Sequence, residues 1–78
     1  MTWNYRIVRY RDNTGFGLHE VYYDEAGQAT KMTANPCGFA CDVEEGPDGV
    51  RGMLATALAD AGRRPIFDEP EQWPVKAP

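Results

Sequence analysis

The chain has 78 residues, of which 42% are hydrophobic and 26% are charged, and its formal charge is −4 at pH 7. This length fits one domain that buries only about 60–65% of the surface exposed by its unfolded chain, so we expect modest stability. No window approaches the ~20 apolar residues of a membrane span, the first residues form no signal sequence and only two cysteines are present, so the composition favours a cytoplasmic protein without a disulfide framework.

The first predicted element is a β-hairpin over residues 3–24. The runs WNYRIVRYR and FGLHEVYYD are rich in aromatic and β-branched residues, and the DNTG segment at 12–15 separates them with turn-forming residues. Both faces are partly apolar, since Trp3 and Tyr5 lie on one and Val8 on the other, so the pattern alone leaves the register open. A hairpin is marginal in water by itself, and the only candidate cover is the helix predicted below.

A third strand is predicted over 28–34, after the DEAG turn at 24–27, whose glycine suits the left-handed position of a hairpin loop. The pair Asn35-Pro36 interrupts this strand, since proline cannot donate a ladder hydrogen bond. The short apolar run CGFAC at 37–41 is then predicted as a fourth strand that continues after a bulge.

An amphipathic helix over 50–61 is the clearest periodic signal in the chain, because its apolar residues recur at spacings of three and four. Pro47 suits the first turn, and Gly62 is predicted just after the last helical residue, with Pro65 preventing continuation. The apolar residues expected to face the sheet are Val50, Met53, Leu54, Ala57, Leu58 and Ala61.

The order of elements predicts an α+β fold, in which an antiparallel sheet of three or four strands carries one amphipathic helix packed on one face. Residues 1–67 are predicted as a single β-β-β-(β)-α domain, and residues 68–78 as an extended, acidic and proline-rich C-terminal tail. Trp73 is the residue of the tail that we expect to anchor it.

Catalysis has little support, because the chain has no serine, a single histidine and no recognisable motif around its acids. A Cys/His dyad would have to unite His19 with Cys37 or Cys41, and nothing in the spacing brings them together. We predict His19 as a satisfied or half-exposed histidine of the sheet. Both cysteines are predicted as buried or half-buried free thiols, while a redox or metal role and an intermolecular disulfide stay open. We therefore expect no enzyme, no catalytic residue, no metal site and no cofactor.

Arg6, Arg9 and Arg11 interleave with tyrosines in the first strand, a pattern that suits base stacking and phosphate binding. In a strand, however, Arg6 points opposite to Arg9 and Arg11, so the three side chains do not share a face. We interpret them mainly as ordinary exposed strand residues and keep nucleic-acid binding as an alternative.

The excess acid lies in the second half of the chain. Residues 1–41 hold four basic and four acidic side chains, whereas residues 42–78 hold four basic and eight acidic ones. Acids before a helix are favoured by its dipole, and acidic tails keep small proteins in solution, so both effects explain acids without a partner. Two acidic segments beside a tryptophan also suit a surface that docks on a basic protein. The predicted partner-binding residues are Asp42, Glu44, Glu45, Asp48, Asp68, Glu69, Glu71 and Trp73.

Four segments, WNYRIVRYR, GLHEVYYDEAGQ, EEGPDG before the helix and RRPIFDEP after it, resemble a set of small, mostly uncharacterised bacterial and prophage-borne proteins. The resemblance spans most of the chain, but it carries no catalytic motif and no functional residues. In size, acidity and architecture the chain also resembles the type I anti-CRISPR proteins, which bind a CRISPR effector complex and keep it from target DNA.

The first hypothesis is a non-enzymatic binding protein, a monomer or weak homodimer, that docks on a basic nucleic-acid-handling protein. The resemblance implies a CRISPR effector complex as one such partner, with no direct contact to nucleic acid or a membrane. The second hypothesis is a small regulatory or antitoxin-like module that binds through the hairpin face or an exposed strand edge. The third is a nucleic-acid binder that uses the strand arginines. In the second hypothesis the residues that matter are Tyr5, Tyr10, Tyr22 and Tyr23.

Overall fold

The computed structural model describes residues 2–74, which form four strands and one helix. In chain order the elements are β1 (Thr2–Arg9), β2 (Phe16–Tyr23), β3 (Ala29–Met32), α1 (Pro47–Arg63) and β4 (Phe67–Asp68). The strands form one sheet in the order β3-β2-β1-β4, in which β1 pairs antiparallel with β2, β2 antiparallel with β3, and β4 parallel with β1. The predicted α+β fold is confirmed, and the sheet is mixed rather than wholly antiparallel.

The predicted hairpin is confirmed, and its turn is fixed by local hydrogen bonds. The Tyr10 amide donates to the Gly15 carbonyl (3.0 Å), and Asn13 takes a left-handed conformation with φ 63° between them. The Asp12 carboxylate accepts from the amide (3.1 Å) and the hydroxyl (2.6 Å) of Thr14. These hydrogen bonds from Thr14 lower the pKa of Asp12 below its usual value. The turn aligns Trp3 with Tyr22 across the two strands.

The predicted strand over 37–41 is wrong, although its first residue still follows β2. The Thr33 amide donates to the Glu20 carbonyl (3.0 Å) and the Cys37 amide to the Leu18 carbonyl (2.8 Å). Between these two bonds lies Pro36, which has no amide hydrogen, so a regular ladder cannot form. The chain then leaves the sheet, and the fourth strand is β4, which follows the helix instead of preceding it.

Helix α1 extends beyond its predicted bounds at both ends. Gly46 precedes it with a positive φ of 67°, and Pro47 occupies the first turn as expected. The prediction that Gly62 lies outside the helix is wrong, since α1 continues to Arg63. The helix ends at Arg64, which has φ −120° and ψ 151°. This extended conformation is favoured because the ring of Pro65 disfavours the helical conformation in the residue before it.

A hydrophobic cluster of buried residues lies on the face of the sheet that carries Val8, and no residue of α1 belongs to this cluster among residues 2–74. Val8, Val21 and Ala29 form the buried cluster. Residues of the neighbouring strands and of the C-terminal segment, rather than of the helix, therefore pack on this face of the hairpin. The partly buried residues packed against the cluster are Tyr10, Tyr23, Met32, Phe67 and Trp73.

The helix instead lies along β1, the strand with which it makes its contacts in the described part of the chain. The Asp60 carboxylate accepts a hydrogen bond from the Tyr5 amide (3.1 Å), which holds the end of α1 at the edge of the sheet. Ala57 is the buried residue of the helix. Leu54 and Leu58 are 49% and 76% exposed, so the prediction that they face the sheet is wrong. The apolar face of α1 is therefore wider than the part of the helix surface that β1 covers.

His19 is a satisfied sheet histidine, as predicted, and it is almost fully buried at 1% exposure. Its Nδ1 lies 3.0 Å from the Thr33 carbonyl oxygen, which can only accept, so Nδ1 carries a proton. Its Nε2 forms a hydrogen bond with the Tyr10 hydroxyl (2.7 Å). This network ties the end of β1, the middle of β2 and the segment after β3 together, because a buried polar group without partners would be costly.

Gly17 gives the Tyr10 ring its space, so we expect Gly17→Ala to destabilise the protein. A Cβ at position 17 would overlap the Tyr10 hydroxyl and come within 3.2 Å of His19 Nε2. Tyr10 would have to move and lose its hydrogen bond, which should lower the free energy of unfolding by about 1–3 kcal/mol in urea denaturation. Gly62→Ala is the control, since a Cβ there meets no atom within 4 Å. It should stabilise the helix by about 0.5–1 kcal/mol, and equal effects of the two changes would contradict this account.

Candidate partner-binding surface

The predicted acids form two groups, and the first lies in the turn before α1. Asp42, Glu44 and Glu45 are all exposed. Backbone hydrogen bonds from the Glu45 amide to the Asp42 carbonyl (3.1 Å) and from the Gly46 amide to the Val43 carbonyl (3.2 Å) form consecutive turns that lead into the helix. No side chain among residues 2–74 forms an ion pair or hydrogen bond with the carboxylates of Asp42, Glu44 or Glu45. We call these three residues the acidic turn.

Val43 lies inside the acidic turn and is 94% exposed. An isolated exposed apolar residue is ordinary on a protein surface. Here it lies between carboxylates that also point into solvent, so an apolar contact and unpaired charge occupy the same short segment. Interfaces commonly combine an apolar contact with a polar surround.

Asp48 differs from the acidic turn because it already has a partner. It lies in the first turn of α1, where the positive end of the helix dipole favours an acid. Its carboxylate also pairs with Arg51 at 2.7 Å, one turn further along the exposed surface of the helix. The charge of Asp48 is therefore accounted for within the helix.

The second predicted group is held by arginines of the hairpin. The Asp68 carboxylate pairs with Arg9 at 3.1 Å. The Glu69 carboxylate accepts from the Arg11 amide (3.1 Å), and the Arg11 guanidinium donates to the Glu71 carbonyl (3.0 Å). These contacts fasten the segment after the helix to β1 and the turn, so part of the acid in this group has an internal role.

Trp73 is half-buried and packs against the core instead of standing free. Its ring stacks on Phe67, with centroids 6.0 Å apart and an interplanar angle of 11°. The Arg6 guanidinium lies 5.1 Å from the centroid of the Phe67 ring, so three side chains close this end of the core. The expected anchor of the tail is thus present as far as residue 74, and residues 75–78 lie outside the described residues.

An open cleft of about 520 Å³ lies between the hairpin turn and the C-terminal segment. Its lining residues are Arg11, Asp12, Glu71 and Gln72. Opposite charges face one another across it, and its Arg11 is already bonded to the Glu71 carbonyl. The cleft offers no concentrated charge of one sign, which a charged ligand would need.

The two acidic groups flank α1 in the chain, one before the helix and one after it. Between them in the chain runs α1, a helix of 17 residues and therefore about 25 Å long. Within residues 2–74 the acidic turn is the group in which all the carboxylates lack an internal partner.

The strand arginines and the tyrosines named in the alternative hypotheses are largely engaged within the molecule. Arg6 donates to the Tyr23 hydroxyl (2.9 Å) and to the Pro65 carbonyl (2.9 Å). The Tyr22 hydroxyl donates to the Glu20 carboxylate (2.6 Å), which raises the pKa of Tyr22. Tyr5 is buried. The outer strand β3 has only four residues and a bulge beside Tyr22, features that discourage edge pairing.

Both cysteines are half-buried free thiols, as expected. The Cys41 thiol lies 3.2 Å from the Gly46 carbonyl oxygen, next to the start of the helix. Within residues 2–74, no three His, Cys, Asp or Glu side chains lie close enough together to hold a metal ion. In the same part of the chain no helix has the length and apolar character needed to cross a membrane.

Comparison of the chain with protein-family models, with curated proteins and with solved structures finds no match. The candidate surface therefore depends on the geometry of this chain alone. Sequence reasoning did not separate the acidic turn from the paired acids, although the four basic residues of the first half are a signal that some acids would be paired.

Trp73→Ala should destabilise the protein more than Arg9→Ala does. Removal of the half-buried ring takes apolar area from the core, and we expect a loss of about 1.5–3 kcal/mol in the free energy of unfolding. Removal of Arg9 breaks an ion pair whose members are 49% and 72% exposed, and such pairs contribute about 0.2–1 kcal/mol. Urea denaturation of both variants tests this order, which the reverse ranking would contradict.

Cys37 should react slowly with iodoacetamide in the native protein. Burial raises the pKa of the Cys37 thiol, and the negative charge of Glu20 raises it further, so less thiolate is present at a given pH. The pH at which alkylation reaches half its maximal rate should be higher for the native protein than in urea, as followed by peptide mass spectrometry. Glu20→Gln should lower that pH in the native state alone, and an equal change in urea would contradict the assignment.

Proposed function

We propose that this protein is a non-enzymatic binding protein that docks the acidic turn on a basic surface of a nucleic-acid-handling protein. The observation that carries the proposal is the exposure of three carboxylates, Asp42, Glu44 and Glu45, that have no partner within residues 2–74 and surround the exposed side chain of Val43. Three of the other predicted acids contribute less, because Arg9 pairs with Asp68, Arg51 pairs with Asp48, and the Glu69 carboxylate accepts from the Arg11 backbone amide.

The helix dipole does not account for the whole of the acidic turn. Its effect falls off within the first turn of a helix, and Asp48 already occupies that position in α1. Asp42 and Glu44 lie several residues before the first helical residue, Pro47. Their charge is therefore available to attract a partner.

The mechanism follows from charge and shape. Exposed carboxylates without an internal partner increase the rate of encounter with a basic surface. The contact then occupies residues of the partner that would otherwise bind a nucleic-acid backbone. A protein that inhibits DNA binding in this way needs no active site. The resemblance to the type I anti-CRISPR proteins makes a CRISPR effector complex the first partner to test.

The alternative hypotheses receive less support. A nucleic-acid site would need arginines free to contact phosphates, but the Arg9 guanidinium pairs with the Asp68 carboxylate and the Arg11 guanidinium donates to the Glu71 backbone carbonyl. A docking hairpin face would need free tyrosines, and the hydroxyls of Tyr10, Tyr22 and Tyr23 have internal partners.

The partner is identified by affinity capture from a bacterial lysate with tagged protein, eluted with increasing salt up to about 0.5 M, where exposed charges are strongly screened. We expect a DNA-binding protein or complex that elutes at high salt. Glu44→Gln/Glu45→Gln should then weaken its binding at least about tenfold at low salt, mainly through the association rate measured by surface plasmon resonance.

Glu25→Lys is the matched control for the double variant. It changes the net charge by the same amount, +2, at an exposed position of the turn between β2 and β3. Binding by Glu25→Lys should stay within about twofold of the wild type, because the local charge rather than the net charge matters. Equal loss in both variants, or unchanged binding by the double variant, would contradict the proposal.

A further inference from the structure

The outer stripe of α1 exposes two leucines that the fold leaves uncovered. Leu54 and Leu58 are 49% and 76% exposed and lie four residues apart, so their side chains are neighbours on one face of the helix. Ala61 and Gly62 continue this stripe one turn further on, and Arg51 lies one turn before it. The stripe therefore combines two large apolar side chains with small residues that let another helix approach closely.

The overall shape is consistent with an open side. The radius of gyration is 13.7 Å, whereas a compact chain of this length should have about 11.5 Å. The principal extents of 45 × 31 × 22 Å describe a thin molecule. Helix α1 lies along one strand instead of being enclosed between two layers, so one side of the helix is exposed to solvent.

We propose that α1 packs antiparallel against α1 of a second copy of this chain. A two-fold axis near the level of Thr56 would place Leu54 of each copy against Leu58 of the other, as an isologous contact requires. Such a contact uses the same stripe on both copies, so no second surface is needed. This inference is independent of the function proposed above.

Charge favours the antiparallel orientation. In a parallel pair the two acidic turns would lie side by side, and like charges so placed repel. In the antiparallel pair Arg51, whose side chain is 72% exposed in its ion pair with Asp48, comes beside the C-terminal turn of the partner helix, whose negative dipole end favours a cation. The acidic turn of one copy then lies toward the helix end that carries the exposed Arg63 in the other, where Arg64 already pairs with Asp60 at 3.7 Å.

The small area of this contact determines how strong a dimer we expect. A stable interface buries about 800 Å² on each partner, and two partly exposed leucines with their small neighbours provide less than that. We therefore expect a weak dimer with a dissociation constant on the order of 10⁻⁴ M. Any test has to reach concentrations of about 1 mM.

Sedimentation equilibrium of the full chain between about 10 μM and 1 mM tests the dimer. The weight-average mass should rise toward twice the monomer mass at the highest concentration. Leu58→Glu should raise the dissociation constant at least about tenfold, since it puts a charge in the centre of the contact. Ala59→Glu is the matched control, because it adds the same charge at an exposed position about 100° around the helix from Leu58, outside the line of Leu54 and Leu58. Circular dichroism confirms that both variants keep the fold.

Orientation is tested by oxidation of an equal mixture of Leu54→Cys and Leu58→Cys proteins, with peptide mass spectrometry to identify the linked residues. The antiparallel pair predicts enrichment of the mixed disulfide between positions 54 and 58 over either symmetric one. Dominant 54–54 and 58–58 disulfides would overturn the orientation. A constant monomer mass up to 1 mM, or equal loss of dimer in Leu58→Glu and Ala59→Glu, would overturn the interface itself.

Discussion

The outer edge of β1 is the feature on which the rest of the structure depends. A strand edge presents backbone groups that need partners, and this edge finds them in three places. The Tyr5 amide donates to the Asp60 carboxylate, the Arg9 carbonyl accepts from the Glu69 amide, and the Arg11 amide donates to the Glu69 carboxylate. One edge thus fixes the end of α1, the position of β4 and the course of the C-terminal segment. With β2 on its other side, β1 becomes an inner strand although β4 has only two residues.

The two candidate surfaces are consequences of that arrangement. Because Asp60 holds α1 beside β1, the helix turns Ala57 inward and leaves Leu58 in solvent. Because the C-terminal segment returns along β1, Arg9 and Arg11 meet acids that are distant in sequence. Because these arginines engage the C-terminal segment, the acidic turn is the place in the described residues where several carboxylates without a partner lie together. The acids with the strongest case for a partner are therefore those that the fold itself does not use.

Local signals in the sequence predicted the elements that depend on local interactions. The DNTG turn and the alternating residues around it gave the hairpin, and spacings of three and four with Pro47 at the start gave the helix. Strand β4 was missed because a two-residue strand has almost no pattern, and its pairing with β1 joins residues that are distant in the chain. Leu54 was misplaced for a related reason, since periodicity shows that a helix has an apolar face but not how much of that face is covered. Pairing of acids with the strand arginines likewise depends on the path of the chain after α1.

The acidic turn and the leucine stripe would reinforce each other if both act. An antiparallel α1 pair has its two-fold axis near the middle of the helices, so the acidic turns of the two copies lie at opposite ends of the pair. A partner with two basic sites at matching distance would then bind both turns, and the second contact would form at the effective concentration set by the first. Weak self-association is sufficient for this effect, because a partner that binds both copies also stabilises their contact.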